Sequence, residues 1–129
     1  MKPMANDFGM GGVEQMFYAG SVNFDDTGIS TGMEVFKAPN KMIITKAVAV
    51  VTTAFNAGTT NVLTLGANDD VDDLLGSSDV TEGTAGAYIK NTFVEVGKGD
   101  KVKAKYTQTG TDATAGAADI YLFFVTVAE

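Results

Sequence analysis

The sequence lacks four residue types on which much protein chemistry depends. None of the 129 residues is Cys, His, Trp or Arg, and all nine basic residues are Lys. Without Cys the chain has no disulfide and no thiolate nucleophile. Without His it has neither the commonest general base nor the commonest transition-metal ligand. Ser-His-Asp and Cys-His catalysis are therefore excluded, and we expect a protein that is not an enzyme and needs no cofactor.

Positive charge is also scarce. Sixteen acidic residues give a net charge of −7 and a pI near 4.4. A balance this acidic disfavours nucleic acid, because binding to phosphate depends on Lys and Arg, and it disfavours anionic membrane surfaces. No apolar run approaches the roughly 20 residues that a membrane-spanning helix needs. We expect a soluble protein, made in a reducing cytoplasm, whose partners are other proteins.

Residues 1–19 combine Met and aromatic side chains with Gly at no steady spacing. Gly at this density costs a helix about 1 kcal/mol per position, so we predict an extended arm ahead of one domain over residues 20–129. Apolar side chains on such an arm need a surface to lie on. That surface is either the chain's own domain or a neighbouring subunit. The candidate contact residues in the arm are Met4, Phe8, Met10, Met16, Phe17 and Tyr18.

The remainder of the chain is typical of an all-β protein. Short segments rich in Val, Ile, Thr and aromatic residues alternate with turn signals, which predicts an antiparallel β-sandwich. The predicted strands are residues 21–24, 29–36, 41–55, 61–66, 87–96, 101–108 and 117–128.

Local patterns add four finer predictions. The Asn and Gly at positions 56–58 predict a hairpin between residues 41–55 and 61–66, and residues 97–100 read as a second hairpin turn. Residues 68–75 are the one plausible helical turn. The nearly continuous apolar run in residues 117–128 predicts a central strand buried on both faces.

Residues 68–73 form the strongest candidate for a ligand site. Four carboxylates in five residues could supply several of the six to eight oxygen ligands that Ca²⁺ takes, although the spacing is not that of an EF-hand. Two other interpretations remain open: a solvated helix start with acids in its first turn, and contact with a basic partner. The candidate residues are Asp69, Asp70, Asp72 and Asp73.

Basic residues alternate with apolar ones in residues 101–106. Because side chains alternate across a strand, Lys101, Lys103 and Lys105 share one face. This stripe is either the solvent face of a sheet, including a Lys-protected edge strand, or a docking face for an acidic neighbour.

Two segments carry a resemblance to known proteins. Residues 44–75 (ITKAVAVVTTAFNAGTTNVLTLGANDDVDDLL) and the later TAGAADIYLFFVTV resemble small virion structural proteins of tailed bacteriophages. The resemblance covers roughly residues 40–129 and implies a jelly-roll-like sandwich serving as a capsid decoration protein, cement protein or head fibre, with the arm lacing subunits together. It implies no catalytic residues.

This resemblance also implies where the protein acts. We expect a virion component that binds the major capsid protein or another virion protein. We also expect a homo-oligomer, with a trimer favoured over a dimer, because such proteins sit on symmetry axes. Two alternatives remain: a tail, baseplate or fibre-anchoring module, and a carbohydrate-binding sandwich.

Overall fold

The computed structural model of the chain describes residues 14–127. Seven β-strands make up this part of the chain. They are β1 (Gln15–Asn23), β2 (Met33–Lys37), β3 (Met42–Thr53), β4 (Thr60–Ala67), β5 (Gly86–Val96), β6 (Lys101–Thr109) and β7 (Ala117–Thr126).

The strands form two antiparallel sheets packed face to face. The first has four strands in the order β1-β7-β3-β5, and the second has three in the order β2-β6-β4. Consecutive strands always lie in different sheets, so every connection crosses the sandwich. The all-β, β-sandwich prediction is confirmed.

Both hairpin predictions are wrong, because β3 and β4 lie in opposite sheets, as do β5 and β6. The connection after β3 crosses the sandwich and buries Phe55, whose ring centroid lies 4.8 Å from that of Tyr106. A hairpin turn would leave this ring in water. Residues 97–100 do form a tight turn, in which Asp100 N donates to Gly97 O at 3.0 Å.

The core lies between the sheets and is filled by alternate residues of the central strands. Each fully buried Val, Leu or Ile side chain contributes about 1.5–3 kcal/mol. Representative members are Ile44, Ala47, Val51, Leu63, Leu65, Val102, Ala104, Ile120 and Leu122. As predicted, β7 is central, but it is buried on one face only: Tyr121 and Phe123 remain half-buried on the other.

The segment between β4 and β5 closes one side of the sandwich. No helix forms in residues 68–75, so that prediction is wrong. Instead Leu75 forms an isolated bridge with Leu65 at the free edge of β4, and Leu74 and Val80 are buried. The backbone N–H groups of Leu74 and Leu75 both donate to Leu65 O, at 2.9 Å, instead of bonding within a helix.

The sandwich begins before residue 20, the position at which the sequence analysis places the start of the domain. Strand β1 begins at Gln15, which pairs with Phe124 of β7. Residues 15–19 therefore lie within a strand of the sandwich. Residues 1–13 lie outside the described part of the chain.

Candidate interaction surface

An apolar row crosses the outer face of the four-stranded sheet. The register places Tyr18 opposite Tyr121, and Tyr121 opposite Val48. Val48 in turn lies opposite Ile89. Since directly opposite residues of an antiparallel sheet share a face, the row extends over all four strands. The ring centroids of Tyr18 and Tyr121 are 5.1 Å apart.

A second row lies beside the first. Met16 is opposite Phe123, and Phe123 is opposite Lys46. Lys46 Nζ lies 5.2 Å from the centroid of the Phe123 ring and 3.9 Å from Glu14 Oε1. The hydroxyl of Thr45 donates a 2.5 Å hydrogen bond to the other carboxylate oxygen of Glu14. The positive charge of Lys46 is thus balanced by the carboxylate of Glu14 and attracted by the face of the Phe123 ring.

Four large side chains on the outer side of this sheet are highly exposed for apolar groups, whereas Val48 is buried and Tyr121 and Phe123 are half-buried. The exposed fractions are 79% for Phe93, 64% for Ile89, 59% for Met16 and 51% for Tyr18. We call the surface formed by Met16, Tyr18, Val48, Ile89, Phe93, Tyr121 and Phe123 the apolar sheet face. Exposed apolar patches are typical of interaction sites, so this face is the candidate interaction surface.

A polar group borders the apolar sheet face at β1. Asp119 Oδ1 accepts hydrogen bonds from the hydroxyls of Tyr18 and Ser21, both at 3.2 Å. Burial, and then the hydrogen bond to Asp119, raise the pKa of Tyr18. The raised pKa favours the protonated hydroxyl, the form that donates to Asp119.

The candidate contact residues predicted in the arm do not all lie on the same surface. Met16 and Tyr18 lie on the apolar sheet face. Phe17 lies opposite the buried Leu122 and turns toward the other sheet, where its ring centroid is 4.8 Å from that of Phe36. The remaining candidates, Met4, Phe8 and Met10, lie outside the described residues.

The Lys stripe occupies the outer face of β6, the central strand of the three-stranded sheet, so it does not protect an edge. Lys101 Nζ lies 3.7 Å from Glu34 Oε1, and Lys103 is paired in register with the same glutamate. The hydrogen bond to Asp70 raises the pKa of Asp72, and the nearby charge of Lys105 opposes this rise. Acidic groups of this chain thus balance part of the stripe. Contact of Lys101, Lys103 and Lys105 with an acidic neighbour stays a prediction.

The acidic segment folds against β4 beside this stripe. Asp73 Oδ1 accepts a 2.8 Å hydrogen bond from Ala67 N, and Asp70 Oδ1 accepts a 3.1 Å bond from Asp72 N. A hydrogen bond between the Asp70 and Asp72 side chains raises the pKa of Asp72 and lowers that of Asp70. Asp69 lines a shallow cleft together with Lys101 and Lys103.

Each of these carboxylates therefore accepts a backbone hydrogen bond, hydrogen-bonds to another carboxyl group or lies near lysines. Among residues 14–127 no group of three or more acidic side chains is arranged to hold a metal ion. In the same part of the chain, no helix is long and apolar enough to cross a membrane.

One solved structure shares this fold along almost its whole length. It is a chain of the "Cyanophage Pam1 capsid asymmetric unit", with a TM-score of 0.71 and 20% sequence identity. The match covers 98% of this chain and 94% of the other, so the two chains are similar in length. At this identity the likeness shows the fold. No family model and no curated protein matches the sequence.

Sequence reasoning missed most of the apolar sheet face. In β5 one set of alternate residues is Ile89, Asn91 and Phe93, and the other includes Tyr88 and Lys90. Both sets mix apolar and polar side chains, so alternation alone does not indicate which set faces the core. The sequence of β7 did carry a signal for this face. Its apolar residues occupy both alternating sets, and in a two-layer sandwich one of these sets lies on an outer face.

Proposed function

We propose that the protein is a structural component of a bacteriophage virion, acting by adhesion to the capsid lattice as a decoration or cement protein. One structural observation supports the adhesive role: the apolar sheet face leaves Met16 and Tyr18 of β1, and Ile89 and Phe93 of β5, exposed to water. Burying them against a partner would be favourable by roughly 25 cal/mol per Å² of apolar area.

The fold likeness supports the placement in a capsid. The similar chain belongs to a capsid asymmetric unit, and the match covers nearly all of both chains. We also class the sandwich as jelly-roll-like, because its seven strands alternate between sheets along the chain.

A protein of this kind stabilises a shell by mass action. It binds the assembled lattice in preference to free subunits, which shifts the assembly equilibrium toward the closed particle. This role requires a rigid body and an adhesive surface, and it requires no reacting group. We therefore infer a non-enzymatic protein located in the virion.

Binding to particles that lack the protein tests the proposal. Tyr18→Lys removes an aromatic ring from the apolar sheet face and adds one positive charge. Thr107→Lys adds the same charge at an exposed position of β6, in the other sheet. We expect the first variant to bind particles at least about tenfold more weakly, a loss of about 1.4 kcal/mol, and the second to bind like the wild type.

Equal binding by both variants would show that the apolar sheet face is not the adhesive surface. Quantitative mass spectrometry of purified particles tests the location separately. A lattice-binding protein is repeated by the shell symmetry, so we expect on the order of hundreds of copies per particle. A few copies would indicate a tail or baseplate part instead.

A further inference from the structure

One segment of the chain joins the domain at the border of the apolar sheet face. It is residues 1–13, called here the N-terminal segment, which precede Glu14. Glu14 comes directly before β1, yet its carboxylate contacts two residues of β3, the second strand away in the sheet. The hydroxyl of Thr45 donates to Oε2 at 2.5 Å, and Lys46 Nζ lies 3.9 Å from Oε1. Because Lys46 lies in the outer row with Phe123, the Glu14 side chain crosses the outer side of the sheet.

The composition of the N-terminal segment suits an apolar surface. In an extended segment alternate residues share one side, and one such set contains Met4, Phe8 and Met10. The charged residues of the segment are Lys2 and Asp7, whose charges cancel. Its apolar side chains would gain roughly 25 cal/mol per Å² on leaving water.

The N-terminal segment is also long enough to cross the face. Fully extended, 13 residues span about 43 Å at roughly 3.3 Å each, whereas the four strands measure about 14 Å from β1 to β5 at a spacing of about 4.8 Å. The segment contains Gly9, Gly11 and Gly12 close to Glu14. Gly accepts backbone conformations that other residues avoid, so the chain can turn back over the sheet at this point.

Two observations favour the chain's own segment over a second copy as the occupant of this face. A segment tethered at the border has an effective concentration on the order of millimolar. Two copies with a net charge of −7 each repel one another, whereas the segment brings no net charge. Lys46 is already paired with Glu14 on the face, so an uncharged occupant does not leave it without a partner.

We propose that residues 1–13 cover the apolar sheet face of their own chain in the free protein and compete there with the capsid lattice. The segment shields Met16, Ile89 and Phe93 from water, which keeps free copies from associating through them. The inference rests on the proposed function, because it adds a regulation to the adhesive face: the lattice binds by displacing the segment.

Two cysteine pairs test where the segment lies, because the chain has no Cys. Asn6→Cys, which alternates with Phe8 and Met10, is combined with Asn91→Cys on the outer side of β5, paired with Lys46. In the matched control it is combined with Asn40→Cys, in the turn after β2. Asn91 and Asn40 are both exposed, and each lies roughly 15 Å from the start of β1.

We expect the pair with Asn91→Cys to form its intramolecular disulfide at least about tenfold faster than the control pair, measured by mass spectrometry after alkylation. Equal rates would show that the segment passes over the surface without docking, and would overturn the inference. Disulfide-linked dimers in place of crosslinked monomers would assign the segment to a second copy, and would overturn it as well.

Exposure of the face gives an independent test. Phe8→Ser with Met10→Ser removes two apolar side chains of the proposed contact, so we expect the fluorescence of bound anilinonaphthalene sulfonate to rise at least about threefold. Lys2→Ser with Asp7→Ser is the matched control, which removes two charged side chains, and it should bind the dye like the wild type. Equal fluorescence of all three proteins would contradict the cover.

The disulfide also separates the inference from the proposed function. The oxidised pair at positions 6 and 91 holds the segment on the face, so we expect it to bind particles at least about tenfold more weakly than the reduced protein. If this disulfide forms preferentially but oxidation leaves particle binding unchanged, the cover exists and the adhesive role of the face is wrong. If both pairs react equally while Tyr18→Lys still weakens particle binding, the cover is wrong and the adhesive role stands.

Discussion

The ring centroid of Phe17 lies 4.8 Å from that of Phe36, and this contact joins the first strands of the two sheets. Phe36 in turn lies 6.4 Å from Phe124 in β7, measured between centroids. The three rings close the sandwich at the β1–β2 edge. Residues near the start of the chain therefore hold the fold together as well as forming its surface.

Two truncations should consequently differ in stability. Removing residues 1–13 keeps every described strand pair. Removing residues 1–19 deletes half of β1 and the Phe17 ring. We expect the longer truncation to lower the free energy of unfolding by on the order of 2–4 kcal/mol relative to the shorter one, measured by urea denaturation. Equal midpoints would show that the first half of β1 contributes nothing to the sandwich.

Gly66 should be intolerant of a side chain. A Cβ at this position would lie 2.5 Å from Val71 Cα and 2.6 Å from Asp70 O, both backbone atoms of the segment that crosses β4. We expect Gly66→Ala to cost at least about 2 kcal/mol, since the segment must shift. Gly83→Ala is the control, because a Cβ there meets nothing within 4 Å. Similar thermal midpoints for the two variants would contradict the close packing.

The buried Tyr106 hydroxyl should be coupled to Asn61. It donates a 2.5 Å hydrogen bond to Asn61 Oδ1, which also accepts from Ala57 N at 2.9 Å. Burial, and then the charge of Glu82, raise the pKa of Tyr106, which favours the protonated hydroxyl that donates this bond. We expect Tyr106→Phe to cost about 1 kcal/mol.

Asn61→Ala should cost about 2–3 kcal/mol, because it leaves the tyrosine hydroxyl and backbone groups of Ala57 without these bonds. The double variant should be less destabilised than the sum of the two single ones. Additive losses in urea denaturation would show that the two side chains act independently.

The ion pair of Asp79 and Lys90 should make stability depend on pH. The hydrogen bond from Lys90, and then that from Gly76 N, lower the pKa of Asp79 in the folded protein. A carboxylate with a lowered folded pKa stabilises the fold above its unfolded pKa of about 3.9, and this contribution is lost as pH falls through the folded pKa.

Asp79→Asn should therefore cost about 0.5–1 kcal/mol at pH 7, and the difference from the wild type should shrink at acid pH. Asp112→Asn, at an exposed position, is the control for the loss of a surface carboxylate. The measurement is the thermal midpoint from pH 7 to the acid limit of reversible folding. A constant difference at all pH values would rule out the carboxylate charge as the cause.

The sequence by itself determined that this is an all-β domain without the residues of common catalytic sites. Composition excludes Cys and His chemistry wherever the chain folds, and period-two patterns such as Val102, Ala104 and Tyr106 fix which residues of a strand share a face. That is why the inward face of β6 and the central place of β7 were predictable.

Only the tertiary structure decided which strands pair and which faces remain outside. Turn residues near Gly58 and Gly99 signal a change of direction, but they do not indicate whether the next strand stays in the same sheet. Ile89 and Phe93 became a surface because the other face of β5 turns toward the core. Burial of a face depends on strands distant in the sequence, so local pattern cannot assign it.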